Sequence, residues 1–163
     1  MTETTIFLLL GSNLGDRFKN LMTAWDGIAR EIGTVIATSA VYETEPWGKT
    51  NQPGFLNQAI QLESRWSPAE LLEKILGLEK KMGRVRGEKW GERIIDIDII
   101  YFGDQCIDTG ELVIPHPRLS ERRFVLVPLV EISPEFVHPV SGKSNAMLLG
   151  ECKDSLEVSV FKP

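Results

Sequence analysis

The stretch GERIIDIDIIYFGD, Gly91 to Asp104, decides the fold. From Ile94 to Phe102 every residue is apolar or aromatic except Asp96 and Asp98, the pattern of a buried strand carrying two carboxylates two residues apart. Side chains along a strand alternate faces, so Asp96 and Asp98 share one side and Ile95, Ile97, Ile99 and Tyr101 the other. The two Cα atoms fall about 7 Å apart, two steps of about 3.3 Å. Carboxylates this close, flanked by Ile94 and Ile100, raise one another's pKa and resist desolvation, so something positive must answer them.

Upstream, the chain supplies partners for this strand. Thr4 to Leu10 reads as a buried strand ended by the turn GSNLG. Phe18, Leu21, Met22, Trp25, Ile28, Ala29 and Ile32 then recur at three- and four-residue steps, a helix stopped by Gly33. Val35 to Thr44 is a second strand, EPWGKTNQPG a long polar connection, and Phe55 to Glu63 a third strand. Ser67 caps a second helix, with Pro68 in its first position, Glu70 three residues after the cap, and Leu71, Leu72, Ile75, Leu76 and Met82 on its buried face. RVRGEKWGER is the loop into the acidic strand. The order strand, helix, strand, strand, helix, strand predicts an α+β ferredoxin-like split βαβ sandwich, an antiparallel sheet with helices packed on it. After Gly103 only VLVPLVEI reads as a short helix, and residues 1–163 are expected to form a single domain.

Composition narrows the function. With 42% hydrophobic and 25% charged residues the chain is an ordinary globular one. Its apolar runs, IFLLL and IIYF, are too short to span a bilayer, and no secretory pattern opens it, so a cytoplasmic protein away from membranes is expected. Cys106 and Cys152 have no metal-ligand spacing and read as reduced thiols. A net charge of −5 argues against a general nucleic-acid binder. Yet Lys80 to Arg93 holds six basic residues (Lys80, Lys81, Arg84, Arg86, Lys89, Arg93) against Glu88 and Glu92. That local excess suits a compact anion.

Two readings of Asp96 and Asp98 compete. They form structural ion pairs with Arg84, Arg86 or Arg93, or they supply hard oxygen ligands for Mg²⁺ bridged to substrate phosphates, enough for two ions. Arg84, Arg86 and Arg93, with Arg118, Arg122 and Arg123 downstream, outnumber what two carboxylates need, and guanidinium binds phosphate oxygens bidentately. Metal plus arginine points to phosphoryl chemistry. GSNLGD lacks the spacing and lysine of a P-loop, so it reads as a turn with Asn13 or Asp16 capping the helix. His116 is a general base, a phosphate donor or an ordinary loop residue, and its neighbours Arg118 and Arg122 favour phosphate contact.

Several stretches resemble one family in order. GSNLGDR, SAVYETEPWG, QPGFLNQAI, LEKKMGRVRGEKWGERIIDIDIIYFG and IPHPRLSERRFVLVPLVEI are similar to the 6-hydroxymethyl-7,8-dihydropterin pyrophosphokinases over nearly the whole chain. The resemblance implies transfer of the β,γ-pyrophosphoryl group of ATP to the dihydropterin hydroxymethyl oxygen, releasing AMP, in folate biosynthesis. It implies Asp96 and Asp98 as ligands of two Mg²⁺ ions, with Arg84 and Arg93 also catalytic. Arg84, Arg86, Arg93, His116 and Arg122 would contact the triphosphate, and Leu72, Glu79 and Ile99 would approach the nucleotide. Thr44, Trp47, Gly48, Phe55, Asn57 and Phe124 match the pterin pocket, and Trp90 the loop that closes over it. Glu45 and Pro117 depart from what some members carry there. The implied partners are small molecules only, bound by a monomer.

The residues fit that picture. A pterin is flat and rimmed with donors and acceptors, so it suits two aromatic rings and an amide. Phe55 and Phe124 taken singly read as core packing. Asn57 in an apolar strand, however, needs a buried polar partner. Two rivals remain: a two-metal nucleotidyl transferase or cyclase, whose product would be pyrophosphate, and a non-catalytic metabolite sensor.

Overall fold

The computed structural model describes residues 2–44, 54–84 and 93–163. The chain runs β1 (Thr4–Ser12), α1 (Arg17–Glu31), β2 (Thr34–Thr38), β3 (Tyr42–Thr44), β4 (Phe55–Ser64), α2 (Pro68–Lys81) and β5 (Asp96–Phe102). It continues with β6 (Ile107–Asp108), β7 (Val113–Ile114), a 3₁₀ turn (Leu119–Glu121), α3 (Arg123–Ile132), α4 (Asn145–Glu151) and β8 (Val158–Val160). The large sheet has the order β5-β1-β4-β3-β8, with β2 also on β4, and its recorded pairings are antiparallel. This is the split βαβ arrangement expected from the element order, with β4 inserted between β1 and the strand that follows α1.

Local signals explain the helices. Asp16, not Asn13, caps α1, its carboxylate accepting the Lys19 amide. Ser67 and Glu70 form the reciprocal capping box at the start of α2, with Pro68 behind the cap. Such a cap is worth about 1 kcal/mol. Both helices cover one sheet face, where Leu21, Ala24, Ile28, Leu71, Ile75 and Leu78 meet Ile6, Leu8, Leu10, Leu56, Ile60, Ile97 and Ile99. On the other face α3 and α4 set Val125, Leu126, Leu129 and Leu148 against Phe7, Leu9, Ala59, Ile100 and Tyr101.

Five expectations need correction. Leu76, expected on the buried face of α2, is 40% exposed. Tyr101 does not share a face with Ile97 and Ile99. The ladder slips between the pairs Phe7–Tyr101 and Leu8–Ile99, so Ile100 and Tyr101 both turn to the α3 side. There the Tyr101 hydroxyl donates to Asn145 at 2.8 Å. The first strand extends through Gly11 and Ser12, which the sequence placed in a turn. The expected second strand is two, because the Ser39 hydroxyl accepts the Ala59 amide and the Glu131 carboxylate accepts the Ala40 amide, interrupting the ladder. Finally, beyond the VLVPLVEI helix, where the sequence suggested no further element, the chain forms α4 and β8.

Candidate active site

The site is built where β1, β4 and β5 lie side by side. Gly11 is in register with Asn57 on one flank and Asp96 on the other, and Leu9 with Ala59 and Asp98. The alternation that sends Ile97 and Ile99 toward α2 sends Asp96 and Asp98 to the opposite face, as the sequence predicts. Gly11 leaves the floor between amide and carboxylate bare. A Cβ there would stand 2.8 Å from Asn57 Nδ2 and 3.7 Å from Phe55 Cδ1. Thr44 at the end of β3 and Phe55 at the start of β4 form one wall; Arg122 and Phe124, at the start of α3, come from another. The resulting cleft is lined by these residues with Leu9, Asp96, Asp98 and Arg93.

Its polar groups are arranged for a guest. Asn57 and Thr44 are each 3% exposed, and Asn57 Oδ1 and Thr44 Oγ1 have no hydrogen-bond partner among the described residues. Asn57 spends its Nδ2 on the Leu10 carbonyl at 3.3 Å, which turns the acceptor oxygen to the remaining side. Buried acceptors left unpaired cost about 1–3 kcal/mol each, a cost a ligand with N–H donors removes. The Arg122 guanidinium lies 5.6 Å from the centre of the Phe124 ring.

On the acidic side, Arg84 Nη2 stands 3.6 Å from Asp96 Oδ1, while its Nη1 donates to Glu79 Oε1 at 2.8 Å. Glu79 is 3% exposed and also accepts the Ile97 amide at 2.8 Å, capping a backbone group on the sheet-edge strand β5. Burial raises the Glu79 pKa, with the Ile97 amide and Arg84 opposing. Despite burial, Asp96 and then Glu79 raise that of Arg84. The Asp98 carboxyl is pushed well above its usual range by burial, then by Asp96 and Glu79, and the attraction of Arg122 and Arg84 does not cancel this. Among the described residues the structural ion-pair reading holds for Asp96 through Arg84. Two hard carboxylates on one face fit a divalent cation such as Mg²⁺.

His116 is pushed down to about 4, by burial and then by Arg122, so it is neutral at pH 7. Its Nδ1 accepts the Arg118 amide at 3.2 Å, which puts the ring proton on Nε2. A neutral Nε2–H is a donor, which suits phosphate contact and not proton abstraction. Arg93 is held at its backbone by Asn13, whose side-chain oxygen accepts the Arg93 amide at 2.6 Å.

Not every expected residue converges on the cleft. Leu72, Glu79 and Ile99 sit on the helix side of β5, and His116 lines a separate depression with Ile114 and His138. Trp47, Gly48, Arg86 and Trp90 lie outside the described residues, as do most of the stretches EPWGKTNQPG and RVRGEKWGER. Leu9 and Gly11 belong to the lining and went unnoticed in the sequence. A glycine ending an apolar strand was the available sign of close approach.

Carboxylates, guanidinium groups, aromatic rings and acceptors without partners among the described residues, lining one cleft, suit group transfer between an anionic donor and a flat polar acceptor. Residues 7–134 match the family model described as 7,8-dihydro-6-hydroxymethylpterin-pyrophosphokinase (HPPK). The chain belongs to this family. It is 44% identical over 135 residues to a 2-amino-4-hydroxy-6-hydroxymethyldihydropteridine pyrophosphokinase of Methylorubrum extorquens, covering 82% of this chain and 85% of the relative. It is 42% identical over 139 residues to the enzyme of that name from Aquifex aeolicus, covering 85% and 86%. Among solved structures, Plasmodium falciparum HPPK-DHPS with pterin and p-hydroxybenzoate aligns with a TM-score of 0.74 at 18% identity over 93% of this chain. This chain spans 42% of that longer one, and the likeness carries the fold alone. Among the described residues no helix is long and apolar enough to cross a membrane.

Proposed function

We propose that the protein transfers the pyrophosphoryl group of ATP to 6-hydroxymethyl-7,8-dihydropterin, giving its diphosphate and AMP, as a step of folate biosynthesis. The observation that carries this reading is the placing in one cleft of Asn57 Oδ1 and Thr44 Oγ1, without partners among the described residues, with the carboxylates of Asp96 and Asp98. A dihydropterin rim supplies N–H donors to the acceptors, and Phe55 and Phe124 offer ring faces to its plane. Asp96 and Asp98 would hold the metal, two Mg²⁺ ions in this reading. When bound, Mg²⁺ supplies neutralisation of phosphate charge and lowers the pKa of the acceptor hydroxyl.

The chain's own task is alignment and charge balance, since phosphoryl transfer needs no protein nucleophile. Arg93 and Arg122 line the cleft with the acidic pair and bind phosphate oxygens. Arg84, fixed by Glu79, keeps Asp96 oriented. His116, in its separate depression, offers its Nε2–H to a nucleotide that extends beyond the cleft. We take residues 1–163 to act as one monomeric domain on small molecules, independently of nucleic acid or membrane.

Incubation with ATP, Mg²⁺ and the dihydropterin tests this. Equal amounts of AMP and pterin diphosphate are expected. Release of pyrophosphate would replace this reading with nucleotidyl transfer or cyclisation, and failure to consume ATP would favour a sensor.

A further inference from the structure

Three distant parts of the chain meet beside the cleft without lining it. Arg17, the first residue of α1, donates Nη1 to Glu43 Oε2 at 2.6 Å and to the Gly54 carbonyl at 2.9 Å. Glu43 precedes Thr44 and Gly54 precedes Phe55, and Thr44 and Phe55 are register partners. One guanidinium thus holds both sides of the place where β3 and β4 diverge. Gly54 permits the close approach, for a Cβ there would stand 2.7 Å from the Thr44 carbonyl oxygen.

The C-terminal strand completes the arrangement. Val158, Ser159 and Val160 pair with Thr44, Glu43 and Tyr42, and the Phe161 amide donates to the Val41 carbonyl at 2.8 Å. The Phe161 ring lies 5.6 Å from Arg17 Cζ and 6.1 Å from the Phe18 ring. β8 and Phe161 lie beyond residue 134, where the family match ends. The Arg17 and Glu43 side chains are 24% and 42% exposed, so their ion pair contributes little to stability by itself. What the contacts share is geometry. The Arg17 bonds and the β8 pairing fix the chain at and beside Thr44 and Phe55, and Phe161 packs on Arg17 from the end of β8.

We infer that Arg17 and Phe161 are positioning residues: together with β8 they clamp the root of the β3–β4 pair and set the separation of Thr44 and Phe55, and hence the fit of the flat acceptor. The inference rests on the pterin reading for its consequence in catalysis, and on the clamp alone for its consequence in structure. A side-chain displacement of about an ångström at a binding wall is enough to cost up to about a hundredfold.

The experiment compares Phe161→Ala, Phe161→Leu and Arg17→Met in the full chain, using amide exchange at Thr44 and Phe55 together with steady-state kinetics. Phe161→Ala and Arg17→Met are expected to accelerate exchange at both amides. They should raise KM for the dihydropterin about tenfold while kcat and KM for ATP stay within about twofold. Phe161→Leu should restore most of the loss. Arg17→Met leaves β8 intact and decides the matter if Phe161→Ala does not fold. Unchanged exchange, or equal rises in KM for both substrates, would overturn the inference. If the unaltered protein does not turn over the dihydropterin, the pterin reading fails, and the exchange rates still decide whether the clamp exists.

Discussion

Replacing Gly11 by alanine tests the cleft at its floor. The new Cβ would stand 2.8 Å from Asn57 Nδ2, and ordinary contact begins at 3.4 Å, so 3.4 − 2.8 = 0.6 Å must be recovered. The obstructing atom is the end of a side chain, not backbone, and Asn57 can yield by rotating its amide. Rotation breaks the bond to the Leu10 carbonyl, already long at 3.3 Å. Losing it costs about 1 kcal/mol, and this should appear as a fall of about 2–4 °C in Tm for a chain of this size. The larger effect falls on the ligand. Turning Asn57 Oδ1 away removes an acceptor that the pterin is expected to use, which should weaken binding by about 10- to 100-fold. Calorimetry with the dihydropterin in the presence of Mg²⁺ and a non-hydrolysable ATP analogue measures this directly. Because both changes act through one amide, the effects of Gly11→Ala and Asn57→Ala should fail to add in the double variant. Full additivity, or pterin affinity unchanged in Gly11→Ala, would refute the reasoning.

Asp98→Asn should abolish most turnover, by about a thousandfold or more, while raising metal-free stability. The sign follows from a carboxyl raised in the folded state: its contribution is full below the unfolded pKa of about 3.9 and is lost as pH rises through the folded value. The stability advantage of asparagine should therefore be seen by thermal unfolding at neutral pH and vanish at about pH 4. For His116 the shift is downward, to about 4, so its contribution is present above about 6.5 and lost as pH falls toward 4. NMR should show its ring titrating near that lower value, with the Nε2–H tautomer at neutral pH. Ser67→Ala removes the cap of α2 and should cost about 1 kcal/mol, measured by denaturant unfolding, without changing KM for either substrate.

Much of this was legible in the chain because the signals are local. The alternation through Asp96 and Asp98 correctly assigns both carboxylates to one face, and Ser67, Pro68 and Glu70 correctly start α2. The need for a partner at Asn57 was likewise readable from an amide in an apolar strand, and its oxygen is indeed unpaired among the described residues. What escaped depends on contacts distant in sequence. Tyr101 turns to the opposite face because β5 slips against Phe7, and no pattern within β5 announces a slip. Ser39 breaks the second strand through Ala59, and Ala40 is held by Glu131, ninety-one residues away. β8 is three residues with two exposed, too short to produce periodicity, and exists because the β3 edge was open to receive it.

The slip at Ile100 also has a bearing on how this molecule tolerates change in length. Upstream of it, Asp96 and Asp98 are phased by Gly11 and Leu9; downstream, Phe102 is phased by Ile6. The unpaired Ile100 uncouples the two halves, so losing or gaining one residue past that point need not rotate the carboxylates away from their neighbours. A change of length just after Ile100 can thereby be absorbed at the slip while the acidic pair keeps its aim.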